Sequence, residues 1–297
     1  MIRLLITGFA ALLGLVFGSF LNVCLTRWPE DESVVRPRSH CRKCNRTLAW
    51  WENIPLASWL ALRGHCRSCK TWIGWRYPLV ELAVGGLWAI EVWITLAGGP
   101  SSFENPAIWV LAISRIVFVW LVVALAVLDA ENLWLPNWLT WPGILMGFAS
   151  NLCSLWLNSA PVLAHFGASA LRGRLLRTMA LRWLLGMAVA AGIVLVIRWT
   201  YWLFRKQEGM GLGDAKLMAM LAAWLGLPGA LLSFALGVVL SAAFAVVLLA
   251  QPSAWRGAKR WTNVPLPFGT FLCVGGVVSS LWGPQLIAAY LRWSGIT

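Results

Sequence analysis

Between Lys216 and Arg256 the chain carries no charged side chain at all. A run of that length has no counterpart in water-soluble domains, whereas about 20 apolar residues are what a helix needs to cross a bilayer. The same character extends over the whole chain, which is 60% hydrophobic and 12% charged, against about 25% charged in an average soluble domain. In lipid each backbone N–H and C=O must be satisfied within the protein, which leaves helices and closed barrels. The apolar runs are continuous rather than alternating, so they read as helices. The expectation is an all-α polytopic membrane protein with about eight transmembrane helices. The expected spans are roughly Leu4–Thr26, Pro78–Ala97, Ile108–Leu128, Trp138–Leu157, Trp183–Phe204, a short one near Asp214–Leu227, Gly229–Gln251 and Pro267–Leu291. The first resembles a secretory signal in having Arg3 before an apolar stretch, but its run is long and ends without a small-residue cleavage site, so it reads as a span.

A net charge of +13 raises the question of where the cations lie, because lysine and arginine collect in cytoplasmic loops. With the N-terminus outside, sixteen of the 24 fall in loops 27–76, 205–216 and 256–260, and six outside. The Arg172–Arg182 cluster runs against this bias and reads as a possible amphipathic surface helix. Pro228 divides the uncharged run into a short and a full-length helix. If the short piece were re-entrant, Arg256, Lys259 and Arg260 would change sides. No basic face interleaved with exposed aromatics remains to suggest nucleic acid. Tryptophans near span ends, such as Trp28, Trp134, Trp138, Trp141, Trp199 and Trp202, fit interfacial belts.

The one sizeable polar segment, residues 28–77, follows the first helix (1–27). It contains HCRKC at 40–44 and HCRSC at 65–69, and its halves match at an offset of 25 residues: Cys41/Cys66, Cys44/Cys69, Trp50/Trp75. Two C-x-x-C turns supply four thiolates, a closed tetrahedral zinc shell that leaves no position for chemistry. So small an insert also lacks a core of its own and needs such a staple. A redox dithiol or disulfides are the alternatives, and cytoplasmic placement disfavours the second. His40 and His65 adjoin the cysteines and read as surface residues. Cys24, Cys153 and Cys273 read as packing residues within spans.

Of eleven acidic residues, Glu81, Glu91, Asp129, Glu131, Glu208 and Asp214 lie in or beside spans, where ionisable groups are costly and mark functional candidates. Asp129 closes an apolar run in VLDAENLWLPN. Asp214 opens the short span in EGMGLGDAKLM, after Gly209, Gly211 and Gly213. The expected topology puts both at the cytoplasmic ends of their helices. The glycines allow positive φ and close approach, which would hold Asp214 at the mouth of a polar groove. No G-K-[ST] follows them, against a phosphate loop, while a plain helix cap remains open. Two neighbouring carboxylates do not both ionise readily, so such a pair supplies a general acid and a general base for one water. The histidines, His165 included, are poorly placed to activate a serine or cysteine. Glu81 either assists at the groove or pairs with an arginine.

These residues resemble the type IV prepilin peptidase family. The resemblance runs through GSFLNVCLTRWP at 18–29, the doubled C-x-x-C insert, NIPLASWLALRGHCRSC at 53–69, RYPLVEL at 76–82, LDAENLWLPNWLT at 128–140, GMGLGDAKLMA at 209–219 and PFGTFL at 267–272. It implies a membrane aspartic peptidase domain over 78–297, of the G-x-G-D kind, with the motif at Gly211, Leu212, Gly213 and Asp214 and the second catalytic aspartate at Asp129. It also implies the activity: removal of a short basic leader from prepilins or type II secretion pseudopilins at the cytoplasmic face of the bacterial inner membrane, then N-methylation of the new N-terminus from S-adenosylmethionine. Zinc would be structural, and prepilins and lipid the partners, with no nucleic acid. Where the family often has aspartate this chain has Glu131 and Asn137, leaving Asp129 as the one aspartate of its loop. The Arg-rich 158–182 stretch looks like an insertion. A peptidase without methyltransferase activity and a carboxylate-based ion-coupled transporter are the rival readings; the transporter predicts midplane carboxylates and an inverted repeat.

Overall fold

The computed structural model describes residues 1–98, 104–164, 169–206, 210–249 and 266–295. It is helical throughout, with no strand among the described residues beyond two isolated bridges. The helices are α1 (Ile2–Arg27), a short α2 (Ala57–Ala61), α3 (Arg76–Thr95), α4 (Pro106–Asn132), α5 (Asn137–Ala164), α6 (Ser169–Arg205), α7 (Leu212–Leu249) and α8 (Phe268–Trp293). The chain divides into two compact units, Met1–Ala124 and Leu125–Thr297.

Six helices among the described residues are long and apolar enough to cross a membrane: α1, α3, α4, α6, α7 and α8. Their outer faces carry exposed Leu4, Phe9, Leu12, Val196, Trp199, Val239 and Val246, the inverse of a water-soluble surface. This is a multi-pass membrane protein. Against the eight expected spans there are two differences. Helix α5 covers the expected Trp138–Leu157 but falls outside the six, because its tryptophans and asparagines dilute its apolar run. The two spans expected after Asp214 form a single kinked helix, α7. The Arg-rich 172–182 stretch is likewise no separate loop: it continues into the expected Trp183–Phe204 span as α6, a helix of 37 residues. At 1.5 Å per residue that is about 55 Å, well beyond a hydrocarbon core of about 30 Å. His165, Gly209, Glu208, Arg256, Lys259 and Arg260 lie outside the described residues.

In the first unit α1 and α3 pack through glycine. A Cβ on Gly14 would stand 2.9 Å from Gly85 Cα, and one on Gly18 would stand 2.8 Å from Glu81 Cα. Small residues four apart let helix backbones approach in lipid, where apolar burial supplies no drive. Glu91, fully buried, pairs with Arg115 at 3.2 Å, so these intramembrane charges neutralise each other.

In the second unit the break in α7 falls at Gly226, φ 73° and ψ 171°, a conformation open essentially to glycine alone. It lies two residues before Pro228, which then sits in the first turn of the following helix, where its missing N–H costs nothing. Pro228 has no N–H to offer the Trp224 carbonyl four residues before it. Asn151 of α5 donates there instead, its Nδ2 reaching Trp224 O at 3.3 Å as well as Ala223 O at 3.0 Å. The Trp224 indole in turn donates to Gly143 O at 2.8 Å and lies against Gly147, where a Cβ would come within 2.6 Å of its ring. The piece before the break, residues 212–225, is about 20 Å long and begins at the candidate site.

Candidate active site

Asp129 stands in the last turn of α4 and Asp214 in the first turn of α7, and both are buried. Asp214 is the third residue of its helix. Its Oδ2 accepts the Gly211 N–H at 3.1 Å, while its own N–H donates to Gly211 O at 3.2 Å. That is one half of a capping box, with glycine in place of the capping hydroxyl. The capping role left open by the sequence is therefore real, and it uses one carboxyl oxygen. Neither Gly211 nor Gly213 has positive φ, contrary to the expectation; Gly213 serves through close approach, since a Cβ there would meet Leu135 at 3.1 Å.

Asp129 is held from α8. Its Oδ2 accepts the Thr270 N–H at 2.6 Å and lies 3.1 Å from the Thr270 hydroxyl, which also donates to Ala126 O at 2.9 Å. The Thr270 N–H lies in the first turn of α8, where donors lack full helical partners, and it is shared between Asp129 and the more distant Pro267 O at 3.2 Å. Gly269 makes room: a Cβ there would lie 2.9 Å from Asp129 Cγ and 3.1 Å from Leu135 Cδ1. Leu135 thus touches both Gly213 and Gly269, and joins the surroundings of the two aspartates. The carboxyl groups lie within electrostatic reach of each other, and buried Cys273 within reach of both. Among the described residues neither Oδ1 has a hydrogen-bond partner, so each carboxyl is anchored by one oxygen and keeps the other.

Residues 12–95 match the family model described as the bacterial peptidase A24 N-terminal domain, and residues 116–246 match that of the type IV leader peptidase family. The chain belongs to the type IV leader peptidase family. Relatives named prepilin leader peptidase/N-methyltransferase are similar along nearly their whole length. That of Stutzerimonas stutzeri is 33% identical over 96% of this chain and 93% of its own. The Xanthomonas campestris relative is 33% identical over 97% and 95%, and the Pseudomonas aeruginosa one is 33% identical over 96% and 93%. No solved structure matches.

Both aspartates fall within the part matched to the leader peptidase family. Asn137 accepts a hydrogen bond from Lys216, tying α5 to the turn that carries Asp214. Thr270, Gly269 and Leu135 were given no role by sequence reasoning. The signal for the first two was the PFGTFL stretch.

The cysteines form a second centre in this family member. The Sγ atoms of Cys41, Cys44, Cys66 and Cys69 all lie within 4.8 Å of one another, with Cys41–Cys69 at 3.7 Å and Cys44–Cys66 at 4.0 Å. Four sulfurs about 2.3 Å from one zinc ion stand about 3.8 Å apart, so the set fits zinc. The repeat seen in the sequence is a repeat in the backbone. Cys41 N–H donates to Arg46 O as Cys66 N–H does to Thr71 O, and left-handed Asn45 and Lys70 close the two turns. His40 and His65 turn away, each with Nδ1 beside the carbonyl two residues before it. The Thr71 hydroxyl and amide draw the Cys69 pKa down to about 6. The Arg46 amide favours the Cys44 thiolate, yet burial and the adjacent sulfurs push that group up to about 11. Four thiolates this close need a dication to ionise together. Cys24 and Cys273 are buried as expected, whereas Cys153 is exposed.

Proposed function

We propose that this chain removes the short basic leader from type IV prepilins or type II secretion pseudopilins and then N-methylates the exposed amine, with Asp129 and Asp214 as the catalytic pair. The observation that carries the reading is the pair of buried carboxyls on two helix ends, each held through Oδ2 with Oδ1 left over. A water between the Oδ1 atoms would lose its proton to the ionised carboxyl as its oxygen bonds to the scissile carbonyl carbon. The protonated carboxyl would donate to the carbonyl oxygen. Collapse of the tetrahedral adduct then breaks the C–N bond, and the amine leaves with a proton. Gly211, Gly213 and Gly269 serve by letting the carboxyls sit close to backbone.

Residues 78–297 are read as the peptidase domain, with the active site facing the cytoplasm of the bacterial inner membrane. The bias of lysine and arginine to loops 27–76, 205–216 and 256–260 supports this side. Cys41, Cys44, Cys66 and Cys69 would hold zinc, which cross-links the insert and leaves no open coordination position. S-adenosylmethionine is the methyl donor that an N-methyltransferase of this kind would use.

The test uses membranes carrying the full chain, a prepilin precursor and labelled S-adenosylmethionine, with mass readout of the product. Unaltered protein should yield a shortened, methylated pilin, and Asp129→Asn and Asp214→Asn, at normal abundance, should leave the precursor intact. Cutting by both variants at the unaltered rate would overturn the assignment.

A further inference from the structure

The first unit contains a cavity of about 540 Å³ whose lining includes neither aspartate, and which Cys41 and Cys66 of the cysteine cluster border on one side. Its walls come from α1, the insert and the start of α3, and carry Asn22, Trp59, Trp72 and Glu81 together with Arg27 and Arg42, whose guanidinium groups are taken up by Ser33 O, Pro37 O and Glu30. That size falls in the range of small-molecule sites, about 300–1,000 Å³.

Three features of the wall define what fits. The first is a buried carboxyl. Glu81 is 7% exposed, its Oε2 accepts the Leu56 N–H at 2.8 Å, and among the described residues it pairs with no arginine or lysine. The arginine pairing open at the sequence level is thus replaced by a backbone contact. A buried carboxylate that none of the neighbouring cations pairs with is costly, and a cationic ligand placed against it removes that cost. The second is an orphan acceptor. Asn22 is 2% exposed; its Nδ2 donates to Tyr77 O at 2.9 Å, while its buried Oδ1 has no partner among the described residues. The third is an aromatic wall already locked in place. Trp59 and Trp72 meet edge to face at 5.7 Å, and the Trp59 indole donates to Ile73 O at 3.1 Å. Rings fixed in this way offer stacking to a flat heterocycle and a π face to a cation.

We infer that this cavity binds the sulfonium methyl donor S-adenosylmethionine, with Glu81 as counter-charge to its cationic groups, Trp59 and Trp72 against its adenine, and Asn22 Oδ1 accepting from an N–H or O–H of the ligand. The inference rests on the methyl-transfer half of the proposed function. In that step the amine lone pair forms an N–C bond as the C–S bond breaks and its electron pair stays on sulfur. The sulfonium becomes a neutral thioether, and the new ammonium passes its extra proton to solvent. A site that reads the sulfonium charge therefore holds the donor more tightly than the spent product.

The experiment measures binding of S-adenosylmethionine and of S-adenosylhomocysteine to the zinc-loaded full chain in detergent, by calorimetry. Glu81→Gln keeps an acceptor for Leu56 and removes the charge; it should weaken donor binding by about tenfold or more and product binding by less. Ser58 also lines the cavity, and Ser58→Trp, which fills it, should abolish both. Leader cleavage and zinc content should stay unchanged in each variant, which shows that the chain has folded. Donor affinity unaltered in both variants, or displacement of the donor by a basic leader peptide, overturns the site while leaving methyl transfer standing. If unaltered protein cleaves its substrate yet binds no donor, the methyl-transfer reading falls with it.

Discussion

The cysteine cluster and the aspartate pair are built in opposite ways. The cysteines come from two matching turns within one insert, each closed by its own backbone hydrogen bonds, and their four thiolates would fill the tetrahedral shell of a zinc ion. The aspartates come from the ends of α4 and α7, and the donor that holds Asp129 comes from α8. Their arrangement leaves one oxygen on each carboxyl. A centre that saturates its own donors staples a chain; one that stops short can do chemistry.

That contrast breaks most easily at the aspartates. Asp129→Asn and Asp214→Asn should each reduce cleavage by at least ~10³-fold and leave zinc content and methylation of an already shortened pilin at the unaltered level. A parallel loss of methylation, followed by mass spectrometry, would show that the two chemistries are not separable.

Cys66→Ser with Cys69→Ser makes the converse cut. Zinc binding contributes on the order of 10 kcal/mol in small zinc modules, so the insert should lose its metal and its tryptophan fluorescence signature. Methylation should vanish while cleavage falls by less than about tenfold. Metal analysis beside both assays decides it, and equal loss of both would erase the distinction between staple and catalyst.

A gentler probe moves a carboxyl without removing it. Gly269→Ala would place a Cβ 2.9 Å from Asp129 Cγ, close enough to push the carboxyl aside, and under the proposed mechanism a misplacement approaching about 1 Å should cost about 10²-fold in cleavage. Gly86→Ala, with nothing within 4 Å of its Cβ, should leave cleavage rates untouched.

The smallest effect belongs to the edge of the insert. Burial alone would raise the Glu52 pKa, but Arg46 and the Ala49 N–H outweigh it and hold it below the ordinary carboxylate value. A folded pKa below the unfolded one stabilises above the unfolded value, about 4.3, and the gain is lost as pH falls through the folded pKa. Glu52→Gln should lower the melting temperature of the insert by a few degrees near neutral pH, and the gap to unaltered protein should close as the buffer is acidified below that range.

How much of this was legible before any coordinates follows from the distance over which each feature is encoded. The cysteine knuckles and their offset of 25 residues are local, so spacing alone described them. Asp129 and Asp214 stood out because charge is scarce in an apolar chain, and the G-x-G-D stretch matched a known family. The break in α7 was foreseen from Pro228, but its position at Gly226 was not. Its repair by Asn151, 72 residues away from Ala223, gave no sign in the sequence.

Apolar runs, C-x-x-C turns and rare charges are properties of neighbouring residues, so a helical membrane protein, a thiolate cluster and two isolated carboxylates could be read without the fold. It took the packed helices to set Thr270 on Asp129, to bring Leu135 against both Gly213 and Gly269, and to leave Glu81 on a cavity wall held by the Leu56 N–H and not by an arginine. Those outcomes depend on which backbones approach one another, and glycine permits such an approach without naming its partner.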